Sequence, residues 1–488
     1  MLRPWQVSLS ERIDPSRETP IYMQIIQALI RDIERGKLTS GTYLPSSREM
    51  AKILGVNRKT VVFAYEDLIA QGWLDSAGTR GTMVAAALPD PVKRQQGDVE
   101  LTMSSVRVDY RYSEPPARPI ALPGGSGLKI DEGAPDGRLF PTELLARAYR
   151  GATNRAAEIN GFQYGDPRGS PALREGIASM LRGQRGLSVT AENICITRGS
   201  QNGIFLASQV LLRPGDSVVV EALTYEPAVA AFRAFGANIV PVGLDEDGID
   251  IDAVEHACRR NAVRAVFVTP HHQFPTTVSL RPERRLRLLE LARQFGFAII
   301  EDDYDHEFHF HSQPLLPLAS YGPGQVIYVG SMSKLLLPAL RIGYVAAPPA
   351  IVDAIAHRVS LTDGMGNALT EDAAAELIEN GELRRHARKV WQVYSERREN
   401  FAAELDKTLG DIVRYKMPDG GLAFWLRFGD IDLDQMEARA SAMGLRFASS
   451  RSFMTHPDAP RGLRIGFASL NSYEARTALT ALRKAAAG

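Results

Sequence analysis

The chain has 488 residues, of which 44% are hydrophobic and 23% charged, and its formal net charge is +0. One hydrophobic core stops growing at about 250–300 residues, so this length excludes a single small domain and predicts two or more. A net charge of zero means that any basic surface for nucleic acid must be local.

No apolar run reaches the roughly 18 residues that cross a bilayer, and the first residues lack the apolar segment of a signal peptide. The only cysteines, Cys195 and Cys258, form no CxxC pair, so neither a disulfide framework nor a metal or redox role is expected of them. These features predict a cytoplasmic protein that has no membrane partner.

Residues 19–85 have the pattern of a compact helical unit. Thr19 is the predicted N-cap of a first helix, with Pro20 at its first position. Apolar residues recur at helical spacing from position 21 to 33, which gives this helix one apolar face, and Gly36 ends it.

Two further helices and a hairpin follow. Ser46 and Glu49 have the spacing of a capping box, and Gly55 closes the helix that they begin. Asn57 is the predicted N-cap of a third helix, which runs to about Gln71. The hairpin is predicted from strand-like runs at 73–74 and 82–84, with Gly78 and Gly81 between them.

Two short helices followed by a hairpin describe a winged helix-turn-helix, which places its second helix in the major groove. Arginine can read guanine and asparagine adenine, whereas lysine commonly contacts phosphate. Polar residues at helix starts are also typical of a solvated helical face, and charge alone does not separate the two interpretations. The candidate DNA-contacting residues are Arg48, Asn57, Arg58, Lys59, Thr60 and, in the wing, Arg80.

The stretch LPSSREMAKILGVNRKTV, followed by AYEDL and GWL, resembles the DNA-binding domain of the GntR superfamily over residues 19–85. The resemblance implies a double-stranded operator DNA partner, contacted by the residues named above and by wing glycines such as Gly81. The wing sequence SAGTRGT departs slightly from the usual glycine-serine-glycine-threonine pattern.

A proline-punctuated polar stretch separates this unit from the rest of the chain. We therefore expect a DNA-binding domain at 1–86 with its core at 19–85, a linker at 87–125, and a large domain at 126–488. Apolar strand-like runs at 218–220, 265–268, 298–300 and 326–329 alternate with amphipathic helical segments, which predicts a parallel sheet buried on both faces. From about residue 370 helices predominate, which predicts a smaller α+β subdomain.

Pyridoxal phosphate chemistry requires a lysine for covalent attachment, an acid for the ring nitrogen and donors for the phosphate. Lys334 follows the strand-like run at 326–329, where α/β sheets commonly bind ligands. A lone lysine is ordinarily a surface residue, but Ser331, Ser333 and Arg341 around it can all bind phosphate.

Three further segments fit the same cofactor. Asp302 can pair with the ring nitrogen and Tyr304 with the ring oxygen, both at a predicted strand end. Ser200 and Gln201 begin an apolar helix, whose free N–H groups suit phosphate, and Tyr225 is placed to stack on the ring. The acids at 301–303 could instead suggest a metal site, but no histidine is obviously placed to complete one, so we expect no metal.

The stretches GAPDGRLFP, YGDPRGSPALR, TPHHQFPTT, EDDYDHEF and SMSKLLLPALRIGY together resemble fold type I aminotransferases over about residues 130–488. A winged helix ahead of such a domain resembles the MocR/GabR family of regulators. The fold class expected is therefore multidomain: an α-rich winged helix-turn-helix plus an α/β fold type I aminotransferase-like domain with a small C-terminal α+β subdomain.

The resemblance also implies roles for single residues. Lys334 would bond the cofactor covalently, Asp302 would pair with its ring nitrogen, and Tyr304 with its phenolic oxygen. Arg464 matches the arginine that grips a substrate carboxylate, and the large domain would form a homodimer. Phosphate contacts fall on Ser200, Gln201, Ser331, Ser333 and Arg341, and Tyr225 would stack on the ring.

The chain departs from the family pattern in two segments. The usual TPSHQFPTG reads TPHHQFPTT, so that His271 replaces a small residue and Thr277 replaces glycine. The residues after Tyr225 lack the extra arginine of γ-aminobutyrate-responsive members, which argues against γ-aminobutyrate as effector.

Three functions fit these features. The first is a regulator that senses an amine or amino acid through Lys334, and the second a regulator that senses pyridoxal phosphate itself. The third is a working aminotransferase with an accessory DNA-binding head. The reader helix that begins at Asn57 favours a regulator over an enzyme, because an enzyme alone does not need it.

Overall fold

The computed structural model describes residues 9–89, 111, 127–159, 161–310 and 315–487. These residues fall into two compact units, one within Met1–Glu114 and the other within Pro115–Gly488. The predicted linker at 87–125 lies almost wholly outside the described residues. No helix in the described part of the chain is long and apolar enough to cross a membrane.

Among the described residues of the N-terminal unit, three helices of at least two turns and a two-stranded ribbon pack together. They enclose one apolar core, to which each of the three helices contributes, as the helical spacing predicts: Ile25, Leu29, Met50, Val61 and Leu68. The elements are α1 (Ile21–Glu34), α2 (Ser47–Leu54), α3 (Arg58–Ala70), β1 (Leu74–Ser76) and β2 (Thr82–Val84).

The predicted start and end of α2 and the start of α3 are confirmed. The Ser46 side chain accepts a hydrogen bond from the Glu49 amide while the Glu49 side chain reaches back to Ser46, a complete capping box. Gly55 ends α2 in the left-handed region at φ 67°. The Asn57 side chain accepts from the Lys59 amide at 2.8 Å and so caps α3.

The prediction that Thr19 caps α1 is wrong. Pro20 holds an extended conformation and takes the N-cap position itself, so the helix begins at Ile21. The buried Gln24 side chain instead binds the Thr19 carbonyl oxygen at 2.7 Å and the Asp14 carbonyl oxygen at 2.9 Å. The loop before α1 is therefore held by a carboxamide that the capping pattern does not reveal.

The predicted hairpin is confirmed. β1 and β2 pair antiparallel, with Leu74 opposite Val84 and Ser76 opposite Thr82. The turn between them contains Gly78 and Gly81, both at positive φ, where a side chain is strained.

A seven-stranded sheet forms the centre of the large unit, in the order β4-β12-β11-β10-β9-β5-β6. All the strands that the apolar runs predict are present. The strands of the unit are β3 (Leu128–Lys129), β4 (Ile194–Thr197), β5 (Ser217–Glu221), β6 (Asn238–Val242), β7 (Leu244–Asp245), β8 (Gly248–Ile249), β9 (Val263–Val268), β10 (Ala298–Asp303), β11 (Val326–Ser331), β12 (Gly343–Ala346), β13 (Val413–Arg414), β14 (Ala423–Phe428), β15 (Leu445–Arg446) and β16 (Leu463–Gly466).

The expectation of a wholly parallel sheet is wrong for one strand. β12 runs antiparallel to both of its neighbours, β11 and β4. A parallel crossover requires a dozen or more residues and usually an α-helix, whereas residues 332–342 between β11 and β12 hold a turn at 333–335 and a short 3-10 helix, Pro338–Leu340. The chain therefore reverses within this connection, which contains Lys334, and β12 returns alongside β11 in the opposite direction.

Helices cover both faces of the sheet, and successive strand residues alternate between two apolar clusters. Val219, Val266 and Ile299 face one cluster, while Val218, Phe267 and Ile300 face the other. The helices are α4 (Thr142–Glu158), α5 (Pro171–Arg185), α6 (Ser200–Leu211), α7 (Glu226–Ala234), α8 (Ile251–Arg260), α9 (Pro282–Phe295), α10 (Leu318–Tyr321), α11 (Pro349–Thr362), α12 (Ala368–Glu379), α13 (Glu382–Leu409), α14 (Leu433–Ala442) and α15 (Ser472–Ala487).

The C-terminal part forms an α+β layer around the antiparallel strands β13, β14 and β16. Its strand β15 pairs in parallel with β3, so that Leu445 lies opposite Leu128. The start of the large unit is thus hydrogen-bonded into the C-terminal layer, a long-range pairing that cannot be predicted from two-residue strands.

Both cysteines are free thiols. Cys195 is buried in β4, and Cys258 is half-buried in α8.

Candidate functional site

The ends of three adjacent strands bring the predicted cofactor residues together. The sheet register places Ser331 opposite Gly343, and Gly343 opposite Thr197. The turn after β11 leads to Lys334, and the turn after β4 leads into α6. Residues that are more than a hundred positions apart in the chain therefore meet at one edge of the sheet.

A cation and a helix start form the anion-binding part of this edge. Gly199 stands before α6 at φ 82°, and a Cβ placed there would lie 3.1–3.2 Å from the Arg341 guanidinium. Arg341 donates to the Arg198 carbonyl oxygen at 2.7 Å. Its charge lies beside the N–H groups of a helix N-terminus, and both attract phosphate.

Close backbone packing fixes that geometry. A Cβ on Gly343 would lie 2.5–2.8 Å from the backbone of Gly199 and Ser200, closer than any side chain tolerates. The turn towards Lys334 is held by the Ser333 amide, which donates to Ser331 Oγ at 3.2 Å. Ser200, Ser331, Ser333 and Arg341 are therefore grouped as predicted by the resemblance.

Gln201 contacts a different element. Its side-chain Nε2 donates to the Pro227 carbonyl oxygen at 2.8 Å, which links the start of α6 to α7. One of the two N–H groups of the carboxamide is thereby engaged, and the backbone N–H of Gln201 lies in the first turn of α6, where a helix N-terminus can bind phosphate.

Asp302 lies buried at the end of β10, and its Oδ1 has no hydrogen-bond partner among the described residues. Burial, with Asp303 and Asp305 nearby, raises the pKa of Asp302 well above its ordinary value, while Lys334 acts in the opposite direction. An unpaired buried carboxyl costs free energy, so a donor that carries positive charge would stabilise it.

Lys334 is partly buried, and its Nζ donates to the Gly133 carbonyl oxygen at 2.5 Å. Burial is the largest influence on its pKa and lowers it, although Asp131 and Asp305 oppose the shift. A lowered pKa favours the neutral amine, which is the nucleophilic form of a lysine.

Arg464 and Tyr304 form a second wall of the pocket, apart from the edge that contains Gly199 and Arg341. Arg464 Nε donates to the Glu132 carbonyl oxygen at 2.7 Å, and Nη1 to the Pro275 carbonyl oxygen at 2.8 Å. Its Nη2 lies 3.3 Å from the Tyr304 hydroxyl, which in turn donates to the His272 carbonyl oxygen at 2.8 Å. Three of the five guanidinium N–H groups are engaged, which leaves one on each Nη for a carboxylate.

Aromatic rings cover this wall. The Arg464 guanidinium lies 4.6 Å from the centre of the Phe274 ring, and Tyr225 meets the same ring edge-to-face at 5.3 Å. Tyr225 stands at the N-cap of α7, where its ring packs against an apolar cluster that includes Leu223. The predicted stacking residue is thus at the same wall as the predicted carboxylate-binding residue.

Glu132 is a charged residue of this pocket that the sequence reasoning missed. Its buried Oε1 has no partner in the described part of the chain, and burial raises the pKa of its carboxyl. Lys334 and Arg464 both lie close enough to lower that pKa. It immediately precedes the GAPDGRLFP stretch, and that position was the one signal available in the sequence.

The acids of β10 do meet histidines, which sequence order alone did not show. His271 Nδ1 lies 3.6 Å from Asp303 Oδ1, and His306 Nδ1 lies 3.0 Å from Asp303 Oδ2. Burial lowers the pKa of His271 to about 3. The structure thus shows the surroundings of both residues that depart from the family pattern. His271 is buried beside Asp303, and Thr277 adopts φ 64°, a conformation that glycine tolerates and a β-branched residue rarely adopts.

The predicted DNA-contacting residues lie in the N-terminal unit. Arg48, Asn57, Arg58 and Lys59 are exposed at the starts of α2 and α3, and Thr60 is half-buried. The Arg58 Nε group donates to Ser47 Oγ at 3.3 Å, which joins the two helix starts into one polar face. Arg80 and Gly81 are exposed in the wing.

The pocket of the large unit fits pyridoxal phosphate. The unpartnered Asp302 oxygen matches a protonated ring nitrogen, and the Gly199–Arg341 edge matches a phosphate. Lys334, with its lowered pKa, matches the attachment point. Each match rests on an observed feature of the pocket rather than on residue type alone.

Comparison with known proteins agrees with this geometry. Residues 132–482 match the family model "Aminotransferase class I and II", and residues 21–84 match "Bacterial regulatory proteins, gntR family". The chain is 31% identical to the probable rhizopine catabolism regulatory protein MocR of Rhizobium meliloti, over 97% of this chain and 95% of that protein.

The chain is also similar to a second regulator and, over most of its length, to a solved aminotransferase structure. The chain is 29% identical to the pyridoxine biosynthesis transcriptional regulator PdxR of Corynebacterium glutamicum, over 94% of both chains. The crystal structure of Pyrococcus horikoshii kynurenine aminotransferase superposes with a TM-score of 0.69 and 28% identity, over 74% of this chain and 91% of that one.

The close approach of Gly343 to the start of α6 predicts a measurable cost of adding one methyl group. Gly343→Ala should destabilise the large unit by about 1–3 kcal/mol, because the backbone of Gly199 must move. Urea denaturation of the full chain measures the change. Gly324→Ala is the matched control, since a Cβ there meets nothing within 4 Å. Equal midpoints for the two variants would show that this approach is not tight.

Proposed function

The chain belongs to the MocR-type regulators, which join a GntR-family head to a class I and II aminotransferase domain, and on that premise we propose that it binds operator DNA and attaches pyridoxal phosphate to Lys334. The unpartnered buried Oδ1 of Asp302 carries the cofactor assignment. The exposed polar face at the starts of α2 and α3 carries the DNA assignment.

Different side chains of the pocket would bind different parts of the cofactor. Pyridoxal phosphate supplies an aldehyde carbon that exchanges one amine for another. The Asp302 carboxyl would pair with the ring nitrogen, and the Tyr304 hydroxyl with the ring oxygen. Arg341 and the N–H groups of α6 would hold the phosphate, and the Lys334 amine would then meet the aldehyde.

The effector that we propose is an amino acid. An amine of the effector would replace the Lys334 amine, and its carboxylate would take the N–H groups that remain on the two Nη nitrogens of Arg464. The second possibility is that pyridoxal phosphate is itself the signal. The similarity to a regulator named for pyridoxine biosynthesis supports that reading.

We propose sensing rather than turnover as the role of the large unit. An aminotransferase passes two substrates through one site and needs its lysine as an acid–base in each half-reaction. A sensor needs only the first exchange. The alternative is an active aminotransferase with an accessory head, which the likeness to kynurenine aminotransferase favours.

Attachment through Lys334 predicts a coloured protein. The purified chain should absorb visible light, and borohydride should fix the cofactor to the peptide that contains Lys334. Lys334→Ala should lose this fixation, while Lys389→Ala, on the exposed surface of α13, should retain it. Mass spectrometry of the digested protein locates the adduct. An unchanged adduct in Lys334→Ala would disprove the assignment.

Base readout by Arg58 predicts two separable effects on DNA. Arg58→Ala should lower affinity for the operator by about 1–3 kcal/mol and relax its base preference. Lys59→Ala should weaken binding to all sequences and reduce the salt slope by about one, if it contacts phosphate. Arg31→Ala, on the exposed side of α1, serves as control. Unchanged operator affinity in Arg58→Ala would remove it from base readout.

We also propose that the large unit forms a homodimer. Apolar residues lie on its surface where two segments meet: Gly165 N is 2.9 Å from the Met365 sulfur. Ile159 is 79% exposed and Leu361 is 65% exposed in these segments. Exposed apolar residues on two segments that meet in this way are typical of a protein–protein interface.

Charge in this cluster should break the dimer without unfolding the chain. Ile159→Glu and Leu361→Glu add charge at positions that the single chain leaves exposed, so the expected product is a folded monomer. Tyr473→Glu, at a 78% exposed position on α15, should remain dimeric. Sedimentation velocity at micromolar concentration separates the outcomes. A monomeric unmutated chain would contradict the proposal.

A further inference from the structure

Three buried side chains outside the cofactor pocket converge on one point. His271, Asp303 and His306 are each less than 8% exposed, and one potential ligand atom from each lies within 4.8 Å of the others. We propose that these three residues form a zinc site at the end of β10.

The atoms that face this point lack hydrogen-bond partners. His271 Nδ1, His306 Nδ1 and Asp303 Oδ1 are all buried and unpartnered among the described residues. The nearest approach is 3.0 Å, from His306 Nδ1 to Asp303 Oδ2, and Oδ1 of the same carboxylate meets no donor in the described part of the chain. Three unpaired polar atoms in one dry place are costly, and a cation would satisfy all of them.

The tautomer of His271 is set for coordination. Its Nε2 contacts the Leu315 carbonyl oxygen, which can only accept, so the ring proton belongs on Nε2. Nδ1, which lies 3.6 Å from Asp303 Oδ1, then carries the lone pair. Histidines that bind metals commonly donate their other N–H to a backbone carbonyl in this way.

Spacing and supporting contacts also fit. Tetrahedral zinc with ligands at about 2.1 Å places the ligand atoms about 3.4 Å apart. His271 Nδ1 lies 3.6 Å from Asp303 Oδ1 and His306 Nδ1 lies 3.0 Å from Asp303 Oδ2. One ligand atom from each residue lies within 4.8 Å of the others, so binding one zinc ion requires shifts of about 1 Å. The Tyr328 hydroxyl donates to Asp303 Oδ2 at 2.6 Å and orients the carboxylate.

The charges and the ligand types around this point favour one class of metal over another. Arg185 lies 3.8 Å from Asp303 Oδ2, but it also pairs with Glu307, and Arg285 lies close enough to affect His271. Sites that hold Mg²⁺ or Ca²⁺ rely on several negative oxygens, which this one lacks. Two imidazoles and one carboxylate instead suit zinc, because its affinity for nitrogen is high.

The site is separate from the cofactor pocket yet joined to it. Asp302 and Asp303 are successive residues of β10, and successive side chains of a strand point to opposite faces. Zinc on Asp303 would therefore fix the same strand end that presents Asp302 to the cofactor. A structural role that stiffens the pocket from behind follows from this placement.

The test uses tag-free full-length chain freed of cofactor and metal, dialysed against Zn²⁺ and then against metal-free buffer. We expect about one zinc per chain by mass spectrometry, and d–d absorption of tetrahedral Co²⁺ when cobalt replaces zinc. His271→Ser should lower zinc affinity at least about 100-fold, because only two of three ligands remain. His357→Ser, at an exposed position of α11, is the matched control.

Two results would overturn the proposal. The first is an unmutated chain that retains less than about a tenth of a zinc per chain and shows no tetrahedral cobalt spectrum. The second is zinc retained equally by His271→Ser and by the unmutated chain, which would place the ion elsewhere. Because the unmutated protein is measured directly, the test does not depend on whether Asp303→Asn or His306→Gln folds.

Discussion

The unpaired carboxyl of Asp302 is the constraint on which the rest of the site depends. It is buried at the end of a central strand, with Asp303 and Asp305 nearby, and its Oδ1 has no partner within the described residues. Burial of such a group costs about 1–3 kcal/mol or more unless a donor meets it. The sheet supports that group because the fold brings Lys334, Arg341 and the start of α6 to the same edge, where a cationic heterocycle with a phosphate fits.

This arrangement explains how an aminotransferase-like pocket suits a sensor. In the function that we propose, Lys334 would bind an amine-reactive carbon and Arg464 would offer its remaining N–H groups to a carboxylate, so the pocket would select amino acids by two groups held on different elements. The C-terminal layer that contains Arg464 is also paired with β3, next to the Gly133 carbonyl that holds Lys334. A ligand held by both Lys334 and Arg464 would therefore link two parts of the large unit, the C-terminal layer and the segment that contains Gly133.

Much of this could be predicted from the sequence, because local signals carry it. The capping box at Ser46, the hairpin turn at Gly78 and Gly81 and the four apolar strand runs were all confirmed. Other features depend on contacts between distant residues. The reversal of β12, the role of Gln24 in place of a Thr19 cap, the unpaired Glu132 and the meeting of His271 with Asp303 all arise from tertiary packing, which no local pattern encodes.

The central claim is that effector binding at Lys334 changes DNA binding without sustained catalysis. The direct measurement follows operator affinity and product formation in one preparation, with and without pyridoxal phosphate and with a panel of amino acids. We predict that one of these ligands shifts affinity about 5–150-fold, that Lys334→Ala abolishes the shift, and that product stays below one equivalent per chain. Turnover of roughly 1 s⁻¹ or more with unchanged operator affinity would contradict the account and make the protein an enzyme.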